Sequence, residues 1–220
     1  MRTVKVKICG ITREEDLKMV SALGADAVGF IVGVSSSPRN LSLKKAGKLI
    51  SLVPIFVKSV LVTVPSSVDE LLKTCEELSP DAIQIHGDHL PDASTIQGKL
   101  SNTCLIRAVK ANPINAVEVA SEASKTFEGI ILDSIARGRY GGTGMVHDWN
   151  LSKLVKNIIH PKPLILAGGL NPENVKDAIS TVRPYAVDVS TGVESRPGIK
   201  DSEKVLAFIE NAKEMRICDS

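Results

Sequence analysis

"PLILAGGLNPENV", residues 163–175, reads as a strand, a turn and the opening of a helix. The run "PLILA" (163–167) is apolar and strand-like, and two glycines stop it. Asn171 then supplies a capping side chain in front of Pro172, whose missing N–H costs nothing at a first helical position. Beyond it Val175, Ala178, Ile179 and Val182 recur at helical spacing, so the segment has one apolar face to bury.

The same unit recurs along the chain. Strand-like runs lie at "VKVKIC" (4–9), "AVGFIV" (27–32), "FVKSVLV" (56–62), "AIQI" (82–85), "CLIRAV" (104–109), "GIILD" (129–133), "PLILA" (163–167) and "AVDVS" (186–190). Helix signals stand between them. Thr12-x-x-Glu15 and Ser67-x-x-Glu70 are capping-box patterns, and Val205, Ile209 and Ala212 form a further apolar face. Strict alternation implies parallel strands joined by right-handed crossovers, and eight units are the number that closes a (β/α)8 TIM barrel. A doubly wound open sheet would have five or six strands and a glycine fingerprint after the first, and "CGIT" has no GxGxxG. The expectation is one α/β barrel domain over residues 1–220. Long loops are expected after strands 2 and 6 (33–41 and 134–148), where a barrel carries its chemistry.

Composition excludes several classes. With 220 residues and 43% hydrophobic content the chain can bury a full core. A net charge of +2 gives no sustained field for nucleic acid or a membrane surface. No apolar run approaches the roughly 20 residues that span a bilayer, and "MRTVKVKICG" lacks a signal-peptide core. The four cysteines (Cys9, Cys75, Cys104, Cys218) form no CxxC pair, so reduced thiols in a cytoplasmic protein are expected. Four scattered histidines form no HExxH, and no catalytic metal is expected.

In a barrel the strand C-termini share one end, which makes neighbours of residues distant in sequence. Cys9 ends strand 1, Gln84 and His86 end strand 4, Asp133 ends strand 6 and Asp188 lies near the end of strand 8; Arg39 is on the long loop after strand 2. "AGGLNPENV" brings Gly168 and Gly169 to a helix N-terminus, and "STGVES" offers Thr191 and Gly192. Loops after strands 7 and 8 are the frequent phosphate site of this fold, so a phosphate monoester is the expected anchor of a small-molecule ligand. The same glycines also serve tight turns. "GRYGGTG" (138–144) lacks the Lys-Ser/Thr ending of a P-loop and reads as a lid.

Asp133 closes an apolar strand, where partial burial raises a carboxyl pKa and makes it a candidate general acid. Remaining mostly protonated at pH 7 takes a shift of roughly three units. Cys9 has two readings. Free cysteine is usually a buried, inert small residue, whereas a base needs a positive neighbour or a helix N-terminus to form thiolate, and a helix start is expected at Thr12. Cys75, Cys104 and Cys218 fall away from the active end. His86 is either a donor facing the ligand or a loop residue satisfied by backbone.

In order along the chain, "KICGIT", "GADAVGF", "SPR", "IQIHG", "ILDS", "GGTG" with "DW", "LAGGLNPENV", and "DVSTGVE" with "PGIKD" resemble the phosphoribosylanthranilate isomerase family of tryptophan biosynthesis. The matches run from residue 7 to residue 201. The resemblance implies a cofactor-free Amadori rearrangement with Cys9 as general base and Asp133 as general acid. It further implies that Arg39 pairs with the anthranilate carboxylate and that Gly168, Gly169, Thr191 and Gly192 hold phosphate; Gln84, His86 and Asp188 are expected to contact substrate from their place at the strand ends. Two departures from the family pattern, Thr191 for Ser and His147 for an aromatic Phe before Asp148-Trp149, leave base and acid in place. A sister isomerase of an imidazole carboxamide ribotide carries Asp at the strand-1 position, which Cys9 opposes. A phosphosugar sensor that had lost the reaction would be expected to lack the base or the acid. Either a monomer or a homodimer suits such a chain.

Overall fold

The structure is a computed structural model that describes residues 1–87, 93–100, 102–134 and 147–217. Eight of the nine strands in the central sheet, all but the two-residue Asn40–Leu41, form its barrel: β1 (Lys5–Ile8), β2 (Ala27–Val32), β3 (Lys58–Thr63), β4 (Ala82–Ile85), β5 (Cys104–Lys110), β6 (Gly129–Asp133), β7 (Leu164–Leu166) and β8 (Ala186–Val189). Each pairs in parallel with the next, and β8 pairs with β1 through Ala186↔Lys5 and Asp188↔Lys7, so the sheet closes. Helices α1 (Glu14–Ala22), α2 (Leu43–Ile50), α3 (Val68–Leu78), α4 (Ala93–Lys99), α5 (Ala116–Ala123), α6 (Trp149–Ile159), α7 (Val175–Val182) and α8 (Ser202–Glu214) follow the strands in turn. This is the (β/α)8 barrel expected from the eightfold alternation.

Strand parity divides the interior in two. Val6, Ile8, Val28, Phe30, Leu61, Ile83, Ile85, Ile130, Leu132, Leu164, Leu166 and Val187 point outward and pack with the apolar faces of the helices. Each such Leu, Ile or Val contributes about 1.5–3 kcal/mol by leaving water. The opposite parity lines the barrel with Cys9, Val60, Val62, Ala82, Ile106, Ala108, Ile131, Ile165, Ala167 and Ala186. Gln84, Asp133, Lys7 and Asp188 share that inward parity.

Acidic residues just ahead of strands pin their neighbours at the N-terminal end. Asp26, Asp81 and Glu128 accept from the backbone N–H of Val6 (2.9 Å), Ser59 (2.8 Å) and Leu105 (2.7 Å). They hold the second residue of β1, β3 and β5 in place, away from the end where chemistry collects.

Three expected boundaries move. The third strand starts at Lys58, because Ile55 and Phe56 precede it in the open at 90% and 93% exposure. Thr12 does not cap α1: its hydroxyl donates to the Gly198 carbonyl at 2.5 Å, and the helix starts at Glu14 behind an Arg13 N-cap with no side-chain bond. Helix α7 starts at Val175; Asn171 acts one turn earlier, its Oδ1 accepting from the amides of Glu173 (3.0 Å) and Asn174 (2.9 Å). At Ser67 only half of the capping box forms. Its Oγ accepts from Glu70 N–H, while the Glu70 carboxylate turns to Ser66. Among the described residues no helix is long and apolar enough to cross a membrane.

Candidate active site

One cavity at the C-terminal end of the strands is lined by all ten sequence-selected residues: Cys9, Arg39, Gln84, His86, Asp133, Gly168, Gly169, Asp188, Thr191 and Gly192. Inward parity delivers Cys9, Gln84, Asp133 and Asp188, and the loops deliver the rest. Cys75 is buried in α3 and Cys104 is exposed at the start of β5, both outside this cavity; Cys218 lies outside the described residues, as does the lid reading at 138–144.

The Cys9 thiol is 6% exposed and sits over a glycine. A Cβ on Gly29 of β2 would stand 2.8 Å from Sγ and 3.2 Å from Lys7 Nζ, so the bare glycine leaves room for both groups. Burial pushes the thiol above its ordinary value; the Lys7 and Lys200 ammonium groups oppose that, and the Asp188 carboxylate adds to it. The expected helix start at Thr12 is therefore not the positive neighbour of the sulfur. That neighbour is Lys7, two residues back on the same strand.

Lys7 donates to Asp188 Oδ1 at 2.9 Å, and both side chains are buried, at 4% and 9% exposure. Burial disfavours the ammonium, yet Asp188 and Cys9 outweigh it and the Lys7 pKa is raised. Asp133 is pushed up to about 6, first by burial and then by the Asp188 carboxylate, while the Ser134 N–H and Lys7 hold it down. The carboxyl is thus about two-thirds of the way to the shift that pH 7 asks of a mostly protonated acid. Anions on a bound ligand act in the same direction.

Gln84 and His86 form a pair, with Nε2 of each 2.7 Å apart. Burial, with help from Lys7, pushes His86 down to about 3, so the ring is neutral and its Nε2 accepts from the Gln84 amide. Gln84 Oε1 is buried without a hydrogen-bond partner among the described residues. The His86 amide meanwhile bonds Thr63 O at 2.9 Å, so backbone satisfaction and a cavity-facing ring hold together.

Arg39 arrives already engaged. Its Nε and Nη2 donate to Glu194 at 2.7 and 2.5 Å, and Nη2 also reaches Thr191 Oγ1 at 3.2 Å. Glu194 in turn accepts from the fully buried Lys200 at 3.0 Å. This network ties the loop after β2 to the loop after β8 and fixes the plane of the guanidinium, with Nη1 outside these bonds.

The two glycine turns touch each other. Gly168 (φ +83°) and Gly169 (φ +71°) hold backbone conformations that favour glycine, and a Cβ on Gly168 would fall 2.3 Å from Ser134 N. A Cβ on Gly192 would fall 2.0 Å from the Leu170 carbonyl oxygen. Gly192→Ala must separate the turns, and we expect it to raise KM by about tenfold or more, the cost of one or two hydrogen bonds to a charged group, as read by steady-state kinetics.

His147 bridges the two ends of the loop after β6, its Nδ1 3.0 Å from Ser134 Oγ and its Nε2 2.6 Å from Ser152 Oγ. Burial pushes it down to about 4, and the neutral ring serves packing, as its loop position suggested.

Sequence reasoning overlooked Lys7, Gly29, Glu194 and Lys200. For Lys7 the signal was present: period-two alternation in "KVKIC" places it on the same face as Cys9. Glu194 meets Arg39 across 155 residues, a pairing no local pattern encodes. Among the described residues no three His, Cys, Asp or Glu side chains are grouped to hold a metal ion.

Residues 6–211 match the family described as PRAI, N-(5'-phosphoribosyl)anthranilate (PRA) isomerase. A relative of that name from Methanothrix thermoacetophila is 42% identical over 95% of this chain and 98% of its own. Another from Pseudomonas fluorescens is 42% identical over the same shares. The crystal structure of the Thermotoga maritima phosphoribosyl anthranilate isomerase superposes with a TM-score of 0.85 at 37% identity, covering 96% of this chain and all of that one. A phosphoribosyl anthranilate isomerase solved in complex with reduced 1-(o-carboxyphenylamino)-1-deoxyribulose 5-phosphate superposes with a TM-score of 0.81 at 35% identity, with the same coverage.

Proposed function

The chain belongs to the N-(5'-phosphoribosyl)anthranilate isomerase family, and from that premise we propose a role for each residue of its cavity. It is an isomerase of tryptophan biosynthesis that converts N-(5'-phosphoribosyl)anthranilate to 1-(2-carboxyphenylamino)-1-deoxyribulose 5-phosphate.

The substrate phosphate rests in the paired turns at Gly168–Gly169 and Thr191–Gly192, in front of α7. The anthranilate carboxylate meets the Arg39 guanidinium, whose plane Glu194 fixes beforehand. Asp133 gives its proton to the ribose ring oxygen as the C1–O bond breaks, and the anthranilate nitrogen supplies the electron pair that forms the Schiff base. The Cys9 thiolate then removes the proton from C2, and the electrons move into an enolamine. A proton added at C1 and one lost from the C2 hydroxyl complete the ketose. Gln84, through its unpartnered Oε1, Asp188 and the neutral His86 offer polar contacts to the sugar.

The observation that carries this reading is that Asp133, its pKa pushed up to about 6, opens on the same cavity as Cys9. The test is to form the substrate in situ from anthranilate and phosphoribosyl pyrophosphate, add the protein and follow the loss of substrate fluorescence. A rate no greater than spontaneous decay would overturn it.

The two raised pKa values set the pH profile. At neutral pH the dominant singly ionised form is thiol with carboxylate, and the productive form, thiolate with carboxylic acid, is the minor one. Its share is constant between the two pKa values of the coupled pair and falls outside them. We expect kcat/KM to fall below about pH 6, where Asp133 and Cys9 both hold protons, and to stay level up to a limb above the ordinary thiol range. An acid limb near pH 4 would contradict the raised Asp133.

A further inference from the structure

We propose that Lys7 is the positioning residue that readies Cys9 for its task, its ammonium held by Asp188 on one side and presented to the sulfur on the other. The proposal rests on Cys9 being the base, and it assigns to this strand a function that its lysine does not need for folding. A barrel interior of this kind is filled by branched apolar side chains, and a buried ion pair gives such a core little stability over apolar residues of equal volume. Yet Lys7 is 4% exposed at the second inward position of β1, its Cα paired in register with that of Asp188 on β8.

The geometry around it is built to keep Nζ and Sγ together. Both lie about 3 Å from one point, the place where a Cβ on Gly29 would stand, and the Lys7 ammonium draws the thiol's pKa down against the push of burial. Any side chain at position 29 would push into that space. The other charged groups facing the sulfur are engaged elsewhere. Lys200 donates to Glu194 and to the Ser190 carbonyl, and Arg39 is committed to Glu194. Asp188 and Asp133 bring negative charge to the same cavity, and His86 is neutral. Lys7 is therefore the cation whose charge bears most strongly on the sulfur. When the thiol gives its proton to solvent, the resulting thiolate replaces part of the Asp188 interaction at the ammonium, and the charge is kept until the sulfur takes the C2 proton. Lys7 does not line the cavity, so it acts through Cys9 and Asp188 without touching substrate.

The test reads the thiolate directly. Site-resolved mass spectrometry follows iodoacetamide alkylation of Cys9 against pH, separating it from Cys104, which is exposed. In Lys7→Gln, which keeps a hydrogen bond available to Asp188, we expect Cys9 alkylation at pH 7 to slow at least tenfold and its midpoint to move up by a pH unit or more. kcat should fall at least tenfold with KM within threefold, and Lys7→Arg should recover much of both readouts. An unchanged midpoint in folded Lys7→Gln would overturn the proposal. If Lys7→Gln does not fold, Asp188→Asn serves instead: releasing the ammonium to the sulfur should move the midpoint down, and no movement would overturn the proposal. A midpoint that shifts in Lys7→Gln with turnover unchanged would leave the electrostatics standing and sink the reading of Cys9 as base, so the two failures are distinguishable.

Discussion

An Asp133→Asn enzyme should fold, bind substrate with KM within a few-fold of the parent and turn it over about 10²–10⁴ times more slowly. The amide has nearly the shape of the acid and can keep the hydrogen bond from Ser134 N–H that the carboxyl accepts. What it cannot do is release a proton to the ring oxygen at C1. Loss of the acid is a transition-state loss, so it falls on kcat. Removing a buried carboxyl whose pKa is raised by desolvation and by Asp188 also relieves an unfavourable charge, so the variant is expected to be at least as stable as the parent above pH 6. The sign follows from the raised folded-state value: the ionised form is disfavoured in the fold, and that penalty is present above about pH 6 and vanishes as pH falls below the unfolded value. A thermal melt at pH 7 and steady-state kinetics check both halves. Turnover near the parental rate would remove Asp133 from proton transfer.

Cys9→Ala should have a comparable effect on kcat, again about 10²–10⁴-fold, for the opposite step. The thiol shares with the Lys7 ammonium the space left by the bare Gly29, and under the proposed roles its loss removes the acceptor for the C2 proton. Ring opening remains possible in that variant, because Asp133 is untouched. A substrate-derived Schiff base should therefore form on it without advancing to the enolamine, and exchange of the C2 hydrogen with solvent deuterium should cease. Rapid C2 exchange catalysed by Cys9→Ala would place the base elsewhere. Stability should change little, since the substitution removes only the sulfur and leaves Cβ in place in the cluster that lines the barrel.

The fold is legible in the sequence because each barrel strand is a short apolar run between capped helices, and hydrophobic periodicity is a local property. The helix starts are less so. Thr12 and Asn171 carry the right side chains for capping, but a distant carbonyl claims one hydroxyl and a preceding turn claims the other amide. The candidate site residues were picked out by their position at strand ends and by family motifs, and one cavity is lined by all of them. The electrostatics that poise them were not. Lysine counts as a surface residue on composition, and only pleat parity in "KVKIC" shows that Lys7 turns inward. The Arg39–Glu194–Lys200 network joins residues on two loops brought together only by closure of β8 onto β1.

The central claim is that one acid and one base at this cavity carry the isomerisation. The most direct measurement follows the fluorescence of phosphoribosylanthranilate formed in situ with the parent protein and with the Cys9→Ala/Asp133→Asn double variant at equal concentration. The account predicts rapid loss of fluorescence with the parent and, with the double variant, a rate close to spontaneous decay and no faster than either single variant. Turnover by the double variant within about tenfold of the parent, far less than the loss expected of either group alone, would contradict it.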